Sequence, residues 1–161
     1  MDKNMEVAEE QVHISVRNLV EFILRSGDID NRVAGTDKDA MLLGGKMHRK
    51  IQRRMGADYH AEVPLKIEIP CNGFTLVIDG RADGIIENAS GIVIDEIKGV
   101  MRNLEQIEEP VSVHLAQAKC YAYIYATQKN LDEIGVQMTY CNLETEDIRR
   151  FQSVYAYEDL K

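Results

Sequence analysis

Two β-branched segments joined by a turn carry the pattern that most constrains this chain. They are Phe74–Ile86 and Ile92–Lys98. The residues between them include the turn formers Asn-Ala-Ser-Gly, so the sequence predicts an antiparallel hairpin of two half-buried strands. Asp83, Glu96 and Lys98 interrupt its apolar pattern. Because a buried charge costs several kcal/mol unless it is paired or binds a metal, these three side chains indicate a site.

The alternation of side chains along a strand decides which of these charges meet. Glu96 and Lys98 point to one face of the predicted hairpin and Asp95 points to the other, where we expect it to pair with a cation. If residues 88–91 form a four-residue loop, Asp83 lies opposite Glu96 and shares its face. Two such carboxylates repel each other unless a divalent cation lies between them, and oxygen ligands suit Mg²⁺ or Mn²⁺. Lys98 is then placed to act on a water or to stabilise charge developing on a phosphate.

Two predicted helices flank the hairpin in sequence, and each presents polar residues beside an apolar face. In the first, over Asp39–Met55, His48 follows a Gly-Gly pair by three residues. In the second, over Pro110–Ala126, Gln117 and Tyr121 are four residues apart and share one face. On its own, such a histidine is more often packed in a core than bound to a ligand, and such a tyrosine is more often a core residue.

The hairpin and the two helices, in this order, resemble the PD-(D/E)XK nuclease superfamily, and within it the RecB-type exonuclease domain. The matching residues are Gly-Arg-Ala-Asp ending at Asp83, Asp-Glu-Ile-Lys ending at Lys98, the helix with His48, and Gln-x-x-x-Tyr ending at Tyr121. The resemblance implies an α/β fold with a restriction-endonuclease-like core, in which helices flank a central mixed sheet that contains the catalytic hairpin. It also implies a metal-dependent deoxyribonuclease, an exonuclease acting in DNA repair or recombination.

The roles that the resemblance implies fall on matching residues of this chain. One or two Mg²⁺ or Mn²⁺ ions would be held by His48, Asp83, Glu96 and the backbone carbonyl of Ile97. Lys98 would position or deprotonate the attacking water. Gln117 and Tyr121 would hold the DNA strand. Glu62 matches a glutamate before the hairpin, as a third carboxylate or a group that orients the ligands, and its alternative is an exposed residue at a strand end.

The one dense run of positive charge in the sequence lies on the helix predicted over Asp39–Met55. Its members are Lys46, Arg49, Lys50, Arg53 and Arg54. They are the best candidates for DNA-phosphate contacts, although a solvated helix face is the simpler explanation of such a stripe in an arbitrary protein. The net charge of −8 argues against a protein that binds DNA unaided. We therefore expect a partner to deliver the DNA, and the resemblance implies a helicase domain in the same full-length chain.

Length and composition bound the remaining expectations. The chain has 161 residues, 45% hydrophobic and 29% charged, which predicts one domain over 1–161 with a flexible stretch at 1–12. Its acidic balance and abrupt end suggest the N-terminal part of a longer protein. No apolar run is long enough to span a membrane and no signal peptide is evident, so we expect a cytoplasmic protein. Its three cysteines lack the spacing of a zinc site or an iron–sulfur cluster.

The other predicted elements are a helix over Ile14–Arg25 capped by Ser15, and strands over Glu62–Pro70, Gly135–Cys141 and Arg149–Tyr157. Two alternatives to an active nuclease stay open. One is a catalytically silent nuclease-fold module for DNA binding or for docking within a helicase, against which the presence of every expected site residue speaks. The other is a general interaction domain in which the motif is coincidental.

Overall fold

The computed structural model describes residues 9–24 and 38–161, and the loop predicted at 27–36 lies outside them. The described chain forms six strands and four helices, besides a short 3-10 turn at Leu104–Gln106. The strands are β1 (Glu10–Ser15), β2 (Tyr59–Cys71), β3 (Phe74–Asn88), β4 (Gly91–Val100), β5 (Glu133–Asn142) and β6 (Ile148–Ala156). The helices are α1 (Val16–Leu24), α2 (Lys38–Arg54), α3 (Ser112–Lys129) and α4 (Tyr157–Leu160).

The start of the described chain differs from the prediction. Residues 10–12, expected to be flexible, begin β1, which pairs in parallel with β3 from Glu10 opposite Phe74 to Ser15 opposite Asp79. The first helix therefore starts at Val16 rather than Ile14. Ser15 does cap it as predicted, because its Oγ accepts the backbone N–H of Asn18 at 3.1 Å.

The long strand β3 organises the sheet. β2 pairs antiparallel with β3 along its length, from Tyr59 opposite Ile86 to Cys71 opposite Phe74. Since β2 occupies one edge of β3, β1 and β4 share the other edge and pair with different parts of it. β1 covers β3 as far as Asp79, and β4 covers it from Gly84 onward. Between them, at 80–83, no described strand pairs with this edge of β3, and we call this gap the fork.

The hairpin between β3 and β4 has the register that the sequence predicts. Glu87 lies opposite Ile92 and Gly84 lies opposite Asp95. The pairing continues to Asn88 and Gly91, so the connecting turn has two residues rather than four. Gly91 has a φ of 134°, a conformation that favours glycine, which explains why a glycine closes this turn. β4 then pairs in parallel with β5, and β5 pairs antiparallel with β6.

Helices cover both faces of the sheet. α1 and α3 pack over the main core, in which Ile94 of β4 is fully buried. On the opposite face, Met47 and Ile51 anchor α2 against Ile97 of β4. The predicted fold class, a mixed central sheet with an antiparallel hairpin flanked by helices, is confirmed and is consistent with a restriction-endonuclease-like core. No helix in the described part of the chain is long and apolar enough to cross a membrane.

Candidate active site

Three predicted site carboxylates stand in one row across neighbouring strands. Gly84 opposite Asp95 is the last pair of the β3–β4 ladder, so Asp83 and Glu96 are the next residues on each side. On the other edge of β3, the two neighbours of Glu62 on β2 pair with the two neighbours of Asp83, so Glu62 lies beside Asp83. The ladder ends here because the Asp83 side chain enters it and its Oδ2 accepts the backbone N–H of Ile97 at 2.7 Å. The predicted meeting of Asp83 and Glu96 therefore occurs at the mouth of the fork.

Glu96 is the most deeply buried of these three carboxylates. It is only 6% exposed, and its Oε2 is buried with no hydrogen-bond partner among the described residues. Its Oε1 lies 3.3 Å from the Lys98 Nζ. Burial, and next the charge of Asp83, raise the pKa of Glu96 to about 8, while Lys98 opposes the rise. A buried carboxylate oxygen without a donor is a position that a cation fits.

The helix α2 brings two polar side chains to the fork. His48 Nδ1 lies 3.5 Å from Asp83 Oδ1. One turn later, Gln52 Nε2 donates to the Asp83 carbonyl and to Glu62 Oε1, both at 2.9 Å. The sequence analysis missed Gln52, although its spacing of four residues from His48 puts both on one face of the helix.

Glu62 lies at the margin of the site. Its φ of 55° is left-handed, and the β2–β3 pairing skips this residue. Its Oε2 lies 3.7 Å from the guanidinium of Arg81, and both side chains are largely exposed. With Gln52 bound to its other oxygen, Glu62 is positioned to orient the Asp83 main chain.

Gln117 and Tyr121 lie on the buried side of α3, at 5% and 7% exposed. The Tyr121 hydroxyl faces the Arg81 backbone amide and packs against Gly80, at the unpaired edge of β3. Burial, and next the charge of Glu96, raise the pKa of Tyr121 to about 12, so the phenol stays neutral. Tyr121 thus fills the fork from the α3 side.

His114 precedes these two residues on α3 and also approaches the site. Its Nδ1 lies 3.2 Å from the Tyr140 hydroxyl. Burial, then Lys98 and Arg102, lower the pKa of His114 to about 4, so its ring is neutral at physiological pH. Its hydrogen bond to the buried Tyr140 is a structural contact within the core.

The predicted metal ligands meet in pairs rather than around a common point. Across 9–24 and 38–161, no three His, Cys, Asp or Glu side chains are arranged to hold a metal ion. His48 lies by Asp83, and Glu96 lies by Lys98. The Ile97 amide N–H donates to Asp83 Oδ2, and the ligand role of the Ile97 carbonyl stays a prediction. The donor chemistry nevertheless suits a hard divalent cation, since the unpartnered Glu96 oxygen lies next to a second carboxylate.

The cationic stripe on α2 is mostly free for other contacts. Lys50 is already paired, because its Nζ donates to both carboxylate oxygens of Glu146 at 2.8 Å. The other four members are exposed, and none forms an ion pair with another described residue: Lys46, Arg49, Arg53 and Arg54. Four of the five predicted DNA contacts therefore stay available.

The prediction that Asp95 pairs with a cation is wrong. It is fully buried, and its partners are neutral donors rather than a cation. Tyr59 Oη donates to Oδ2 at 2.7 Å, while Thr139 Oγ1 at 2.6 Å and Gln137 Nε2 at 3.2 Å donate to Oδ1. Burial raises the pKa of Asp95, and these hydrogen bonds lower it in part. The donors were missed because two of them lie on β5, more than forty positions along the chain.

Comparisons with known proteins establish the fold. No model of a known protein family matches the sequence, and no curated protein matches it. The chain is similar to the crystal structure of SSO0001, with 20% identity and a TM-score of 0.62 over 92% of this chain and 71% of that chain. It is also aligned with Rai1 of Candida albicans in complex with pU5–Mn²⁺, at 15% identity over 60% of this chain and 25% of that chain. Rai1 of Scheffersomyces stipitis aligns at 10% identity over 60% and 26%. Both Rai1 alignments have a TM-score of 0.27, too low to establish a common fold.

Proposed function

We propose that this protein is a divalent-metal-dependent nuclease that hydrolyses phosphodiester bonds in DNA. The observation that supports it best is the meeting of Asp83, Glu96 and Lys98 at the fork, with one Glu96 oxygen buried and unpartnered among the described residues. This arrangement does not stabilise the fold, because two neighbouring carboxylates repel each other and burying a charge costs free energy.

Each side chain has a definite task in this proposal. Asp83 and Glu96 would hold Mg²⁺ or Mn²⁺, with His48 and the Ile97 carbonyl completing the set that the family resemblance implies. A bound divalent ion lowers the pKa of a water and offsets negative charge on the phosphate. Lys98, held at 3.3 Å by Glu96, would orient the water for in-line attack and stabilise the charge that develops on the phosphate.

The DNA would approach along α2, which carries the exposed cations and also His48. With a net charge of −8, binding must be local and weak, against an unfavourable overall field. Efficient cleavage would then need a tethered partner that raises the effective DNA concentration, and we propose a helicase domain in the full-length chain.

One observation favours a second candidate, a catalytically silent module that binds DNA or docks within a helicase. The predicted ligands pair off in the described residues and do not surround one point. In this alternative, Asp83 and Glu96 would retain their places without activating a water.

A cleavage assay separates these two functions. Labelled single- and double-stranded DNA is incubated with the protein in Mg²⁺, Mn²⁺ or EDTA. The nuclease proposal expects cleavage with either metal, none in EDTA, and none for Lys98→Ala. The matched control is Lys66→Ala, which removes an exposed lysine that pairs with Glu68 and should cleave normally. DNA binding without cleavage in any metal favours the silent module, and cleavage that survives Lys98→Ala contradicts the assigned site.

A further inference from the structure

The hydrogen bonds of Asp95 connect three strands at one point. Asp95 is on β4, Tyr59 is on β2, and Gln137 and Thr139 are on β5. We call these four residues the brace. All three bonds end on one fully buried carboxylate that has no cationic partner among the described residues. A protein with a well-packed apolar residue at such a position is often as stable, or more stable. Stability alone therefore does not explain why a carboxylate lies here.

The brace lies at the point where the sheet divides. Asp95 belongs to the last β3–β4 pair, and its partner there is Gly84. The Tyr59 ring passes over Gly84 to reach Asp95, and a side chain at Gly84 would overlap that ring. The bond from Tyr59 to Asp95 thus joins β2 to β4 across β3, immediately before the two strands separate.

The first residues past this point are Asp83 and Glu96, the two carboxylates of the proposed active site. Beyond the last pair, the bond from the Ile97 amide to Asp83 also joins β3 to β4. Asp95 points to the face of β4 opposite to that of Glu96. The brace holds β4 from that face, through one donor on β2 and two donors on β5. The brace therefore holds β4 at the point where β3 and β4 diverge, directly before the two carboxylates.

We propose that Tyr59 and Thr139, acting through Asp95, are positioning residues that set the separation of Asp83 and Glu96 for cation binding. This inference rests on the proposed function. Groups that orient metal ligands without touching the metal typically contribute about 10–100-fold to metal affinity or activity. The brace is expected to act at the lower end of that range, since each single substitution leaves two of its three bonds in place.

The test measures Mn²⁺ affinity by calorimetry, cleavage rate at saturating Mn²⁺, and melting temperature. Tyr59→Phe and Thr139→Val each remove one hydroxyl and keep the packing, and both should weaken Mn²⁺ binding about 10-fold. Thr139→Ser restores the hydroxyl and should recover the affinity. The matched control is Tyr125→Phe. It removes another tyrosine–carboxylate hydrogen bond, to Glu87, which lies on β3 outside the fork.

The outcomes separate the brace from simple stabilisation. The inference predicts that Tyr125→Phe lowers the melting temperature as much as Tyr59→Phe but leaves Mn²⁺ affinity unchanged. Equal Mn²⁺ affinity in Tyr59→Phe, Thr139→Val and the wild type would overturn the inference about the brace but not the proposed function. A loss of affinity in Thr139→Ser equal to that in Thr139→Val also overturns it. A wild-type protein that neither binds Mn²⁺ nor cleaves DNA overturns the proposed function as well.

Discussion

Replacing Glu96 by glutamine should remove a pH-dependent destabilisation of the metal-free protein. Burial and Asp83 raise the pKa of Glu96 from its ordinary 4.5 to about 8. A carboxyl group with a raised folded-state pKa stabilises the fold while protonated, and this contribution is lost as the pH rises through the folded pKa. Glutamine resembles the protonated form at every pH, so its contribution does not change.

The size of the effect follows from the two pKa values. One pKa unit corresponds to about 1.36 kcal/mol. With values of 4.5 and about 8, ionisation of Glu96 lowers the free energy of unfolding by about 2 to 3 kcal/mol between about pH 6 and about pH 9. The free energy of unfolding of Glu96→Gln should therefore rise relative to the wild type by this amount over the same interval.

Urea denaturation followed by circular dichroism, in EDTA at several pH values, measures this difference. Subtracting the two curves cancels the groups that both proteins share and that do not interact with Glu96. The matched control is Glu133→Gln, an exposed carboxylate at the start of β5, whose curve should run parallel to that of the wild type. A difference between wild type and Glu96→Gln that does not change with pH would refute the reasoning.

Three further variants test other parts of the site. Lys98→Ala should abolish cleavage while leaving Mn²⁺ affinity by calorimetry nearly unchanged, because the ammonium acts on water and phosphate. Reversing Arg49 and Arg53 to glutamate should weaken DNA binding in fluorescence anisotropy, from a wild-type Kd on the order of 10⁻⁴–10⁻⁶ M that rises steeply with salt. Gly80→Ala would put a Cβ 2.6 Å from the Tyr121 hydroxyl, and should lower the free energy of unfolding by about 1–3 kcal/mol.

Each of these has a control and a contradicting result. Loss of Mn²⁺ binding in Lys98→Ala would mean that the lysine maintains the ligands. Lys50→Ala should alter DNA binding less than the double reversal, since Lys50 is already paired with Glu146, and nanomolar wild-type affinity in physiological salt would refute the weak-binding argument. Gly56→Ala, with no atom within 4 Å of the added Cβ, should be tolerated, and a Gly80→Ala protein equally stable would show that Tyr121 moves freely.

The hairpin and its register were predictable because they depend on local sequence pattern. β-branched runs and an Asn-Ala-Ser-Gly turn set the register, and a two-residue turn continues the same pairing that a four-residue loop would give. In this register Asp83 and Glu96 are the residues directly after the last pair of the hairpin. The helix α2 was also bounded to within one residue at each end, from its apolar spacing.

What the sequence analysis missed depends on distant parts of the chain. β1 was predicted as a flexible stretch that runs into the first helix, because its partner on β3 is more than sixty residues away and leaves no local pattern. The donors to Asp95 come from β2 and β5, and nothing in the spacing of Tyr59 or Thr139 relates them to it. The left-handed backbone of Glu62 could not be foreseen either, since glutamate has no preference for that conformation.

The most direct measurement is an anomalous difference map from crystals of the protein soaked in Mn²⁺. The proposed function predicts one strong peak at the mouth of the fork, within coordination distance of Asp83 and of the buried Glu96 Oε2. The same crystals of Glu96→Gln should show the peak weakened or gone. Full Mn²⁺ occupancy elsewhere on the protein with none between these two carboxylates would contradict the proposed metal-dependent site.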